Sequence, residues 1–126
     1  MDSPGTGPAA RLDAGSLVID RIETIALRAP LGRRFSGSAY SMDNRCTIVV
    51  RLTTADGIVA ETYSGDTDDE QALIIGIIHD ELAPVILGKS ARDPEGRWRD
   101  MEPSTNNFLR DRGLALQAIA ALDTAI

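Results

Sequence analysis

One cysteine and one histidine are all that this 126-residue chain holds of two side chains that most often bind metals or attack substrates. Cys46 alone excludes an internal disulfide and reads as a small core thiol, which a reducing compartment fits. Cys and His spacing for a metal site is absent. His79 follows Ile78 and precedes Asp80 and Glu81. No motif sets a partner beside it, so it reads as an exposed or rim helix residue rather than a general base. Positive charge is short: 13 Lys and Arg face 19 Asp and Glu, for a net charge of -6. That excludes general nucleic-acid binding and adhesion to an anionic membrane. The longest apolar run, ALIIGII at 72–78, is too short to span a bilayer. The opening MDSPGTGPAARLDAGS has no apolar core of a secretory signal. These absences lead us to expect a cytoplasmic protein. The glycines match neither nucleotide-phosphate fingerprint, and FSGSAYS has no strand-turn-helix context for a nucleophilic serine. No internal repeat is present.

What remains is an ordinary globular composition, 43% hydrophobic and 25% charged, enough for one domain with a modest core. Residues 1–16 are rich in Pro, Gly, Ala and Ser without periodicity and read as a disordered arm, so the fold starts near Leu17. LVIDRIETIALRAPL, with Val18, Ile22 and Leu27, reads as a strand ended by Pro30. GRRFSGSAYSMDN then reads as a long loop. RCTIVVRLTT alternates, with Cys46, Ile48, Val50 and Leu52 on one face. ADG is a hairpin turn, and IVAETYS is the return strand of a three-stranded antiparallel meander.

The period then changes. Thr67 stands three residues before Glu70, a capping-box spacing, and Asp68 and Asp69 suit a helix first turn. A calcium loop counted from Asp66 fails, because its sixth and twelfth positions are Gln71 and Ile77. Ile74, Ile77, Ile78 and Leu82 form one helix face, which Pro84 should end. Asp93 reads as a cap, with Pro94 at the first helical position and Trp98 and Met101 on one side. The last helix runs from about Arg112 through Leu116, Ile119, Leu122 and Ile126, with no capping residue and no basic last turn. Three strands followed by three helices is an α+β fold.

The order of IDRIETIALRAPL, a Gly/Ser/aromatic loop, VRLTTADGIVAE, LAPVILG and AIAALDTAI resembles the N-terminal capping domain of the mandelate racemase and muconate lactonizing enzyme group of the enolase superfamily. The resemblance covers about residues 17–126. It implies a cap over a C-terminal (β/α) barrel outside this chain, with Ile126 at a cut domain junction. In such enzymes the barrel holds magnesium on three carboxylates and carries the Lys or His bases that take a proton alpha to a carboxylate. It implies that this chain alone binds no metal, contains no catalytic residue and is inactive. It also implies a parent isomerase or lyase, acting as racemase, cycloisomerase or dehydratase on a small hydroxy or sugar acid, and assembling as a homo-oligomer. The loops near 35–42 and 63–66 correspond to the group's two specificity loops, which makes Arg33, Phe35, Ser36, Tyr40 and Tyr63 candidate substrate-facing residues. Arg33 and Arg34 would supply local positive charge. Two other readings stand beside this one: a stand-alone α+β interaction module docking through its last helix, and a small enzyme using His79.

Overall fold

A strand that buries every second residue packs one face on a core, and residues 46–52 alternate in that way. The structure, a computed structural model, describes residues 17–65 and 70–126. β1 (Ile19–Ser36), β2 (Ser41–Thr54) and β3 (Val59–Tyr63) form an antiparallel sheet in the order β1-β2-β3. Cys46, Ile48, Val50 and Leu52 point from β2 into the core, each at 2% exposure or less. The β2–β3 turn rests on Gly57, whose φ of 91° favours glycine, and Thr54 Oγ1 accepts from Ile58 N–H at 3.0 Å.

Helices cover that one face. α1 (Gln71–Ile77), a π turn (Ile78–Leu82) and α2 (Ala83–Ile86) form one continuous rod. Ile74, Ile77, Ile78 and Leu82 are buried along it, as their spacing predicts. Pro84 does not end the helix. The Ala83 N–H reaches back five residues to Ile78 O, and this wide turn relieves the clash a proline ring makes with the carbonyl four residues earlier. The rod ends at Gly88, with φ 82°. Gly88 N–H donates to Ile19 O at 2.8 Å and Ile19 N–H to Lys89 O at 2.9 Å, which clamps the rod's end to the start of β1. Thr67, Asp68 and Asp69 of the expected capping box, like the expected arm 1–16, lie outside the described residues. The start of α1 is held instead by Gln71, whose Nε2 donates to Leu27 O and Thr47 O at 2.8 and 2.7 Å.

α3 (Pro94–Met101) has the expected cap, with Asp93 accepting from Gly96 N–H at 2.9 Å, and buries Met101 fully. A 3-10 turn (Glu102–Asn106) leads towards α4 (Arg112–Ala125), which Asp111 caps through Gly113 N–H. Leu114, Ala118, Ile119 and Leu122 of α4 close the core, whereas Leu116 stays 42% exposed.

The first strand departs most from expectation. Pro30 does not end it, and residues 32–44 are not a long loop. β1 continues to Ser36, paired Pro30↔Asn44, Phe35↔Met42 and Ser36↔Ser41, with a register shift between Pro30 and Phe35. β1 is an edge strand, where a missing N–H need break no ladder bond. β3 stops at Tyr63, opposite Val49, so beyond that point β1 and β2 run on as a two-stranded arm. β1 buries no residue after Ile22, and Leu27 is 47% exposed.

Replacing Ile48 by Ala should cost about 2–5 kcal/mol, the range for a buried large-to-small change. In the natural protein, amide exchange across residues 48–52 should then quicken by about 30-fold or more. Leu27→Ala on the arm should leave that exchange within about fivefold of wild type.

Candidate functional site

The five residues singled out above fall into two groups. Tyr63 ends β3, while Arg33, Phe35, Ser36 and Tyr40 lie at the tip of the arm. The Phe35↔Met42 pair stands seven residues beyond Val49↔Tyr63 along β2, about 24 Å at 3.4 Å per residue. Within this chain, then, the two groups do not form one pocket.

The tip is ordered by its own contacts. Gly37 N–H donates to Tyr40 O at 2.8 Å, and the Tyr40 ring lies over Gly37 so closely that an added Cβ would sit 2.5 Å from it. A side chain at position 37 would therefore displace the Tyr40 ring. The Arg33 guanidinium stands 5.3 Å from the centre of the Phe35 ring, a cation–π contact. The expected Arg33 and Arg34 pair is divided. Arg34 forks onto Asp43, Nε to Oδ1 at 2.9 Å and Nη2 to Oδ2 at 3.2 Å. Its charge is spent on its own strand partner, and Arg33 carries the tip's positive charge. Phe35 and Tyr40 are 48% and 65% exposed, so the tip presents aromatic faces to solvent.

Tyr63 opens a second feature. Ser64 continues the β3 ladder, donating its N–H to Ile48 O at 2.9 Å and accepting from Ile48 N–H on Oγ at 3.1 Å, while Thr47 Oγ1 donates to Ser64 O. This fixes the root of the loop. Against it lies the outer side of α4, where Gln117, Ala120 and Thr124 recur at helical spacing. Between them is an open depression of about 420 Å³, which adjoins another of about 340 Å³ beside Arg45 and Thr47. Gln117 and Thr124 were not among the candidates read from sequence. Their signal is a strip of small and polar residues on the solvent side of an otherwise apolar helix.

The rest of the candidate chemistry resolves into structure. His79 is exposed, and its Nε2 is hydrogen-bonded to Thr24 Oγ1 at 2.8 Å, which ties the rod to β1. Glu81 receives the Arg110 guanidinium, which also donates to Ser104 O at 2.7 Å, and Asp100 receives both Lys89 and Arg97. Cys46 is buried in the sheet. Among the described residues no three His, Cys, Asp or Glu side chains come together to hold a metal ion, and the acidic groups named above already bind arginine or lysine. These residues do not fit magnesium. Nor is any helix among them long and apolar enough to cross a membrane.

Comparison with known proteins places this geometry. The family model described as mandelate racemase / muconate lactonizing enzyme, N-terminal domain, matches residues 21–126. The chain is similar to a crystal structure of a mandelate racemase/muconate lactonizing enzyme, with 48% identity and a TM-score of 0.84. It covers 86% of this chain and 30% of that one. A mandelate racemase/muconate lactonizing enzyme from a marine actinobacterium, in complex with magnesium, is 42% identical with a TM-score of 0.74, over 86% of this chain and 28% of that one. A racemase from Streptomyces coelicolor with bound magnesium is 28% identical with a TM-score of 0.76, over 86% and 30%. The chain thus spans about 30% of the length of these structures. No curated protein matches it.

The Arg34–Asp43 fork makes the tip sensitive to acid. The hydrogen bond from Arg34, aided by its charge, holds the Asp43 carboxyl below the ordinary carboxylate range. A depressed folded value means that the clasp is fully present above the ordinary value of about 3.9 and is lost as pH falls through the depressed one. Asp43→Asn should therefore speed amide exchange at residues 33–43 at pH 6 and leave that of residues 48–52 unchanged. Wild type should show the same local loosening only on acidification below about pH 4.

Proposed function

The chain belongs to the mandelate racemase / muconate lactonizing enzyme family of the enolase superfamily, matching its N-terminal domain, and we propose that it is the capping and substrate-specificity domain of a longer enzyme. In this reading the remainder of the natural protein is a (β/α) barrel that holds magnesium and removes a proton alpha to a substrate carboxylate. The observation that carries it is the family match over residues 21–126, against relatives of which the chain spans about three tenths. Magnesium in two of those relatives supports the cofactor, and the racemase among them supports the reaction class. The same match weighs against a stand-alone interaction module. The Thr24 bond gives His79 a structural task, which weighs against a small enzyme built on it.

The cap's own residues bind, orient and shield. The arm reaches about 24 Å past β3 along β2, so its tip extends over a surface the core of this domain does not touch. Arg33, held by the Phe35 ring, supplies a cation for a carboxylate, and Tyr40 and Ser36 supply hydroxyls. Phe35 and Tyr40 exclude water, which strengthens each polar contact beneath them. Tyr63, 77% exposed at the end of β3, lines the second side through a rigid root at Ser64. The substrate is a small hydroxy or sugar acid, whose carboxylate and hydroxyls match this set once the arm bends back over the Tyr63 side.

In the natural protein, Arg33→Gln and Tyr63→Phe should each lower kcat/KM for its hydroxy-acid substrate by about tenfold or more, a loss of about 1.4 kcal/mol, with the thermal midpoint kept within about 2 °C. Turnover of hydroxy acids should depend on added magnesium. Unchanged kcat/KM in both variants would refute the specificity role.

A further inference from the structure

β3 ends at Tyr63, and side chains take over its ladder from there. Ser64 N–H still donates to Ile48 O at 2.9 Å, but Ile48 N–H is received at 3.1 Å by the Ser64 hydroxyl, where a strand carbonyl would ordinarily accept. The Ser64 carbonyl turns instead to Thr47, whose Oγ1 donates to it. Thr47 is held from the helical layer as well. Its carbonyl and that of Leu27, its register partner on β1, accept from Gln71 Nε2 at 2.7 and 2.8 Å. A side-chain amide nitrogen carries two hydrogens, so each strand of the arm takes one. Gln71 opens α1, whose Ile74 and Ile77 are buried in the core. Leu27 and Tyr63 are both exposed, so apolar burial does not hold this point. Thr47 is thus where the arm, the loop after Tyr63 and the helical rod meet.

We propose that Gln71 and Thr47 are positioning residues for the reaction: they fix the base from which the arm bends, and so set Arg33 and Tyr63 on opposite sides of one substrate. The role rests on the recognition function proposed above for Arg33 and Tyr63. The arm must bend back to share a substrate with Tyr63, and the point it bends from decides where Arg33 arrives. Thr47 stands five residues along β2 from Met42, the register partner of Phe35, so the lever is about 17 Å long at 3.4 Å per residue. A tilt of about 10° at its base carries the tip about 3 Å, whereas a misplacement of about 1 Å can cost about a hundredfold in rate. Such a base must be stiffer than an exposed ribbon is by itself. Gln71, holding one carbonyl on each strand, resists both splaying and tilting. The Thr47 hydroxyl refers the Tyr63 loop to the same point. Both residues lie well below the tip, so they act through Arg33 and Tyr63 and not on the substrate.

The test uses the natural protein with magnesium, on whichever of a panel of small hydroxy and sugar acids it turns over fastest. Gln71→Glu keeps the side-chain shape but sets a carboxylate against the two carbonyls, and Thr47→Val keeps the shape without the hydroxyl. Amide exchange should quicken by about tenfold at residues 33–43 in the first and at 62–65 in the second, and stay within about fivefold of wild type at 50–52 in both. Each should lower kcat/KM by about tenfold or more, while Thr47→Ser, which retains the hydroxyl, stays within about twofold of wild type. In the wild-type background the losses from Arg33→Gln and Tyr63→Phe should be non-additive, because both residues hold one substrate; in either variant background they should become additive. Unchanged kcat/KM in Gln71→Glu and Thr47→Val, or Arg33–Tyr63 coupling that persists in both, would overturn the positioning role and leave the recognition function standing. Faster exchange at 50–52 with a thermal midpoint lowered by more than about 5 °C would make these residues braces of the core, and overturn it equally. Silent Arg33→Gln and Tyr63→Phe variants, or no turnover of any acid in the panel, would refute the recognition function itself and take the positioning role with it.

Discussion

The one-sided burial of β2 is the constraint on which the domain depends. Four alternate side chains, Cys46 to Leu52, are removed from water on a single face, and that face is where the rod and α4 must pack. Each buried Ile, Leu or Val contributes about 1.5–3 kcal/mol, so register along this strand is strongly specified; a one-residue slip would turn the whole set to solvent. β1 and β3 then take their places by pairing with it. The helical rod is located from both ends, by Gln71 reaching the carbonyls of β1 and β2 and by Gly88 meeting Ile19.

Strand length decides the rest. β3 has 5 residues, β2 has 14 and β1 has 18, so two strands outrun the third and leave the helical layer behind. An isolated two-stranded ribbon is marginal in water. This one is reinforced by the Arg34–Asp43 fork, by Arg33 on Phe35 and by the Tyr40 ring on Gly37. The short third strand ends at Tyr63, and its continuation opens onto the outer side of α4. An extended arm and a rooted loop, well apart in this domain, are the parts a cap needs to reach a site built elsewhere.

Much of this was legible from residues alone. The period-2 face of β2, the helix face Ile74–Ile77–Ile78–Leu82, the Asp93 cap and the α+β order are local signals, and each is found as read. Two departures share a cause: proline reads as a stop at Pro30 and Pro84, where tertiary context absorbs it. Pro30 sits on an edge strand, and Pro84 follows a π turn that no local pattern announces. The Arg33/Arg34 pair looked like one positive site because nothing in sequence reveals that Asp43 lies across the bulged hairpin from Arg34. The depression beside α4 needed the fold, since it joins Ser64 to Gln117 and Thr124 across more than fifty residues.

The central claim is that this domain serves a larger catalytic protein. The most direct test is the intact mass of the natural protein in its source cells, captured by an antibody against the arm. The account predicts a subunit near 40 kDa, the cap plus a barrel of about 250 residues. A subunit of 13.5 kDa, the mass of this chain alone, would contradict it.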